Sequence, residues 1–324
     1  MPHIKKVVTI GGGTGTFTLL SGLKKYPVDL TAVISMADDG GSTGRLRDEF
    51  GVLPPGDLRQ GLVALSDDGS MMRKLFNHRY EKGDLAGHSF GNIFISTLEQ
   101  VTGSLDKALD VASNILNIRG RVMPVTLTKV KLITELKNGK MIEGEDMLGN
   151  YQLVSRFGIK RIYLKPKAKP NPKALQAIKE ADVIVIGPGD LYTTMIPNLL
   201  VVGSAIAKSK AKKIFVANLM NKHGHTDDFS INDYIQTLER VMGKSNVFNT
   251  VIYNTKMPNK ALLKKYSDEG DPVVVSKPPK KTSYKLAGFP LLASGVAKTS
   301  KADKALHSLI RHDSDKLAKA ILHS

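Results

Sequence analysis

The feature that most constrains this chain is a strand that runs straight into a glycine-rich turn and then a helix. Lys6 to Ile10 reads as a strand, Gly11-Gly12-Gly13-Thr14-Gly15-Thr16 turns the chain, and a helix is expected from Phe17 to Lys25. A second apolar run, Leu30 to Met36, ends in Ala37-Asp38-Asp39-Gly40-Gly41-Ser42-Thr43-Gly44. A β-loop-α-β unit of this kind builds doubly wound parallel sheets.

The remaining chain continues that plan after an interruption. Residues 45–121 carry helical periodicity (Leu58 to Leu65, Met71 to Phe76, Ile93 to Val101, Ala108 to Ile118), which predicts a helical insertion. Residues 122–165 alternate around Asn138-Gly139, a hairpin signal, and predict a small antiparallel flap closed by Ile159 to Leu164. After Pro166, Pro170 and Pro172 the αβ rhythm resumes. Helices are expected over Lys173 to Glu180, Leu199 to Lys208, Asp233 to Met242 and Ser314 to Leu322, with strands over Val183 to Ile186, Lys213 to Ala217 and Val251 to Tyr253. The Lys277 to Lys285 stretch reads as a basic loop, and Ser314 as the cap of the last helix. The expected architecture is one elaborated α/β domain over residues 1–324, a Rossmann-like doubly wound, mostly parallel sheet. Residues 173–324 supply its second half.

A glycine turn between strand and helix lets backbone N–H groups and the helix dipole face a phosphate, so Gly12, Gly13, Thr14 and Gly15 are candidate ligand contacts. A tight turn with no ligand remains the other reading. The dinucleotide fingerprint fails at Thr16, and there is no Lys-Ser/Thr of a P-loop. Asp38 and Asp39 lie where doubly wound folds place an acid that meets a ribose hydroxyl or a metal, with Mg²⁺ escorted by phosphate as one option. Arg45 and Arg47 follow within reach of a phosphate; an exposed turn with surface arginines is the alternative. Gly187-Pro188-Gly189-Asp190-Leu191-Tyr192 follows a second apolar strand, and such strand ends converge on one crevice. Asn218 and His225 are placed to edge it.

Two further motifs have competing readings. Gly87-His88-Ser89-Phe90-Gly91 has the spacing of a serine-hydrolase elbow, but Tyr80 to Ala86 is too polar for the buried strand an elbow requires. Followed by Asn92 and Ile93 to Leu98, it suits a helix start at which Ser89 or Asn92 holds an anion. His88 reads as a general base, a hydrogen-bond donor or a structural histidine. Pro54-Pro55-Gly56-Asp57 reads as a helix start capped by Asp57.

Composition narrows the class. There is no cysteine, which excludes disulfides and thiolate chemistry, and neither a signal peptide nor an uncharged apolar run of about 18 residues is evident. A cytoplasmic location without membrane insertion is expected. The net charge of +17 comes from 47 Lys plus Arg against 30 Asp plus Glu. The lysines are scattered and lack interleaved aromatic residues, so specific nucleic-acid binding is not expected.

Together, Gly11 to Thr16, Asp38 to Arg47, Leu53 to Arg59, Gly87 to Asn92, Gly187 to Asn198 and Asn218-Leu219-Met220 resemble the 2-phospho-L-lactate transferase-like (CofD-like) superfamily. The nearer resemblance is to its bacterial branch, the gluconeogenesis factor or YvcK-like proteins. The resemblance implies a cytoplasmic regulator that binds UDP-N-acetylglucosamine and supports cell-wall precursor supply and cell shape during gluconeogenic growth. It implies a ligand site at Gly12, Gly13, Thr14, Gly15, Asp38, Asp39, Ser42, Asn92, Gly187, Gly189, Tyr192 and Arg311, a protein partner in amino-sugar metabolism, and a homodimer. The transferase branch implies instead a Mg²⁺-dependent phosphotransferase. Asp190 departs from the family's expected serine, and Asn221-Lys222-His223 from Thr-Gln-Pro.

Overall fold

The computed structural model describes residues 4–67, 71–148, 151–269, 283–294 and 310–324. Strand β1 (Lys6–Gly11), helix α1 (Gly13–Leu23) and strand β2 (Asp29–Ile34) form the opening unit. A helical stretch follows, with α2 (Gly41–Phe50), α3 (Gly56–Leu65), α4 (Met71–Asn77), α5 (Phe90–Thr102) and α6 (Leu105–Leu116). Then come β3 (Arg121–Pro124), β4 (Lys131–Leu136), β5 (Met141–Glu143), α7 (Glu145–Leu148), α8 (Tyr151–Phe157) and β6 (Ile159–Lys165). The second half contains α9 (Pro172–Glu180), β7 (Val183–Ile186), a π-helical turn at Leu191–Met195 leading into α10 (Ile196–Lys208), and β8 (Lys212–Val216). It ends with α11 (Ile231–Met242), β9 (Thr250–Asn254), α12 (Lys260–Glu269), β10 (Lys285–Phe289) and α13 (Ser314–His323).

Seven strands form one sheet in the order β10-β9-β8-β7-β1-β2-β3, and all six pairings are parallel. The order reverses between β1 and β7, the topological switch point of a doubly wound fold. Helix α1 packs against α3 and α13, and α10 against α9 and α11. A parallel sheet covered on both faces needs strands that are apolar on both sides. Accordingly Val7, Val8, Ile10, Val33, Ile34, Ile184, Val185, Ile186, Ile214, Phe215 and Val216 are all buried.

The flap is the antiparallel sheet β5-β4-β6, with the expected turn at Asn138-Gly139. Its own small core, Leu132, Leu136, Ile142, Leu148 and Val154, closes on Ala37 just past β2 and on Tyr192. Several expectations shift. Val122 and Met123 do not belong to the flap but extend the main sheet beside β2, because a short buried apolar run reads alike in either place. Helix α1 begins at Gly13 rather than Phe17. Strand β10 begins at Lys285, the last residue of the stretch read as a basic loop, of which residues 277–282 fall outside the described residues. The cap of α13 is Asp313, whose carboxylate accepts the N–H groups of Asp315 and Lys316; Ser314 is already inside the helix.

Candidate functional site

The loops after β1 and β7 meet at the switch point. A Cβ at Gly15 would collide with the Pro188 carbonyl oxygen, so only glycine allows the start of α1 to lie against the Gly187-Pro188-Gly189 loop. Gly13 has φ 61, the left-handed region where glycine is favoured. From the other side, Asn198 Nδ2 donates to the carbonyls of Gly11, at 3.0 Å, and Thr194, at 2.9 Å. Asn218 faces Gly189 with its whole amide: Nδ2 donates to Gly189 O at 2.9 Å, and Oδ1 lies 3.4 Å from Gly189 N. Asn218 thus braces the β7 loop against the β8 loop.

Beneath α1 stands a residue read from sequence as a helix cap. Asp57 does not cap α3, which follows Pro55 without a side-chain cap bond. Its carboxylate packs on Gly12 and accepts the Gly13 N–H, so the chain supplies its own anion to the start of α1. Burial, reinforced by the charge of Asp38, pushes the Asp57 carboxyl up to about 7. Asp38 is raised for the same first reason, although Gly40 N donates to Oδ1 at 3.0 Å and Thr43 also bonds it. Glu145, at the first turn of α7, is raised well above the usual carboxylate range by burial and by the charges of Asp38 and Asp57. These three acids share one crevice. Asp39 stands beside them, its charge acting on Asp38, and its Oδ1 accepts Glu145 N–H at 2.9 Å and ties the flap down. Among the described residues no group of three His, Cys, Asp or Glu side chains could hold a metal ion, so these carboxylates form no cage of their own for Mg²⁺.

Asp190, the departure noted in the sequence, caps the Leu191–Met195 turn through the N–H groups of Tyr192 and Thr193 at 3.0 and 2.9 Å. Burial pushes its carboxyl up, but Lys222, 3.0 Å away, and then His225 and the Thr193 N–H outweigh it and hold the group well below the usual range. That helix start is therefore already neutralised by the chain. His225 Nε2 bonds Leu148 O at 2.9 Å, a second tie between flap and core, and its ring meets Tyr192 edge-on.

On the β2 side, Ser42 Oγ lies 3.0 Å from His88 Nδ1 and accepts from Asn92 Nδ2 at 3.2 Å. Ser89 Oγ accepts the Asn92 N–H and so caps α5. Arg45 donates to Ala86 O at 2.9 Å, and Arg47 to the carbonyls of Asp38 and Val130; both arginines brace loops. The Arg311 carbonyl accepts Ala293 N–H at 3.0 Å, and the neighbouring His312 bonds the Ala217 backbone, which places this segment at the carboxyl end of β8. The structure thus gathers Gly12, Gly13, Thr14, Gly15, Asp38, Ser42, Asn92, Gly187, Gly189, Tyr192 and Asn218 around one end of the sheet. Asp57 and Glu145 are the residues that sequence reasoning missed as members of the crevice.

These features define a doubly wound α/β protein with a carboxylate-lined crevice at its topological switch point. The family model of 2-phospho-L-lactate transferase CofD matches residues 7–287, and the chain belongs to that family, in its gluconeogenesis factor (YvcK-like) branch. It is 37% identical over 321 residues to the gluconeogenesis factor of Bacillus subtilis, covering 98% of this chain and 97% of that protein. The gluconeogenesis factor of Halalkalibacterium halodurans is 38% identical over 323 residues, covering 98% and 96%. A crystal structure of a Bacillus halodurans protein superposes with a TM-score of 0.88 at 35% identity, covering 99% of this chain and 100% of that one.

Proposed function

We propose that the chain is a cytoplasmic nucleotide-sugar-binding regulator whose crevice takes UDP-N-acetylglucosamine, and that it supports cell-wall precursor supply and cell shape during gluconeogenic growth. The observation that carries this reading is the contact between Gly15 and the Pro188-Gly189 backbone, which brings two glycine loops to one point at the carboxyl ends of β1 and β7. Although Asp38 takes the N–H of the N-cap Gly40, the N–H groups of Gly41, Ser42 and Thr43 in the first turn of α2 meet no side-chain acceptor among the described residues and suit a diphosphate. Asp38, Asp57 and Glu145 suit the hydroxyl groups of ribose and sugar. The names of the bacterial relatives favour a role in gluconeogenesis. A homodimer and a protein partner in amino-sugar metabolism belong to the same proposal.

Isothermal titration of the folded protein with UDP-N-acetylglucosamine tests the reading, and saturable binding is expected. Absence of heat at millimolar ligand removes it. One observation favours the transferase reading, the cluster of carboxylates with raised proton affinity, which could move a proton during group transfer. Mg²⁺-dependent turnover of a deazaflavin precursor with an activated phospholactate donor would establish that reading in place of regulation.

A further inference from the structure

A buried polar chain between α3 and the Gly87–Asn92 turn ends on a donor that has no hydrogen-bond partner among the described residues. Arg59 is a permanent donor, and its Nε gives a hydrogen bond to Asn92 Oδ1 at 3.0 Å. That bond fixes the Asn92 amide, so Nδ2 faces Ser42 Oγ. Ser42 then accepts from Asn92 and meets His88 Nδ1 at 3.0 Å. Ser42, His88 and Asn92 are each no more than 5% exposed. Were Nδ1 protonated, the Ser42 hydroxyl proton would be buried without an acceptor among the described residues, which costs the full desolvation of that group. Nδ1 therefore accepts and Nε2 carries the hydrogen. Among the described residues Nε2–H has no hydrogen-bond partner.

Ser42 sits in the first turn of α2, where the N–H groups of Gly41, Ser42 and Thr43 meet no side-chain acceptor among the described residues; the Gly40 N–H before them goes to Asp38. We propose that His88 Nε2–H is a ligand donor, giving a hydrogen bond to a phosphate oxygen seated at the start of α2. The inference rests on the nucleotide reading above and deepens it by assigning the residue that recognises the anion. Burial and the Arg45 guanidinium hold the His88 ring below its ordinary value, so it donates as a neutral tautomer. The charged groups that act on it are Arg45 and Glu49 of α2 and Arg79 after α4.

Two substitutions separate donor from scaffold. In H88N the amide oxygen can replace Nδ1 as acceptor for Ser42 while the outer donor is lost. In H88Q an amide nitrogen reaches toward the position of Nε2. With UDP-N-acetylglucosamine and inorganic pyrophosphate as probes, H88N is expected to bind at least tenfold more weakly, and H88Q to recover part of the loss. Imidazole ¹⁵N spectra of the ligand-free protein should show hydrogen on Nε2; they decide the tautomer even if a variant fails to fold. Hydrogen on Nδ1, or wild-type affinity in folded H88N, overturns the inference and leaves the nucleotide reading standing. If folded wild-type protein binds neither probe, both fall.

Discussion

Asp57 shows how one side chain can look ordinary in sequence and decide the chemistry of a site. An acid two residues after Pro55 reads as a cap, and spacing alone cannot say that the first turn of α3 faces the first turn of α1. The contact of its carboxylate with Gly12 and the Gly13 N–H arises only from packing. Its folded-state value of about 7 lies above the unfolded value of roughly 3.9, so the folded chain holds this proton more tightly. The contribution is present at low pH, declines once the unfolded carboxyl ionises, and is fully lost as pH rises through about 7. D57N can keep the bond to Gly13 and carries no charge. Relative to wild type it should gain stability between pH 5 and pH 8, on the order of 1–3 kcal/mol. Urea unfolding at both pH values measures this, and an equal difference at each would contradict the assignment.

At the scale of elements, legibility followed pattern strength. Val183 to Ile186 stands as read, because four consecutive apolar residues between breakers suit a strand of a doubly covered sheet. Gly12, Asp38, Asn92 and Gly189 were legible because strand ends and helix starts announce themselves by residue type. Glu145 was not, since its place depends on the flap folding back over the end of β2. Helix α1 starts at Gly13, ahead of the Phe17 start that residue type suggests, because Gly13 to Thr16 are weak helix formers whose preference is overridden by tertiary contacts with Asp57 and the β7 loop. The flap is held to the core at Asp39 Oδ1 to Glu145 N and at His225 Nε2 to Leu148 O. Removing the first tie in D39A should let the α7 start open locally. Amide exchange over residues 141–148 is expected to rise about tenfold, matching the loss of roughly 1.4 kcal/mol, while amides of β1 and β7 keep their protection. Uniform acceleration across the sheet would show that Asp39 acts on the whole fold and not on the flap.

For the whole molecule, the strand order places the first and second halves of the chain side by side at β1 and β7, and the helix α13 then returns to pack on α1. The backbone approach is close: a Cβ at Gly22 would collide with the Ser314 carbonyl oxygen. Helix α13 drives Leu317, Ala318, Ala320 and Ile321 into the core, each no more than 3% exposed. The helix that presents the Gly12 to Gly15 loop is therefore held at its far end by residues about three hundred positions later. Leu317→Ala leaves a cavity on that contact, and such truncations cost about 2–5 kcal/mol in a well-packed core. A matched lowering of the urea midpoint is expected for this variant, together with weaker UDP-N-acetylglucosamine binding as the start of α1 loses its alignment against Pro188. Unchanged affinity in a destabilised but folded L317A protein would mean that the Pro188 and Asp57 contacts fix the loop by themselves, with α13 contributing stability alone.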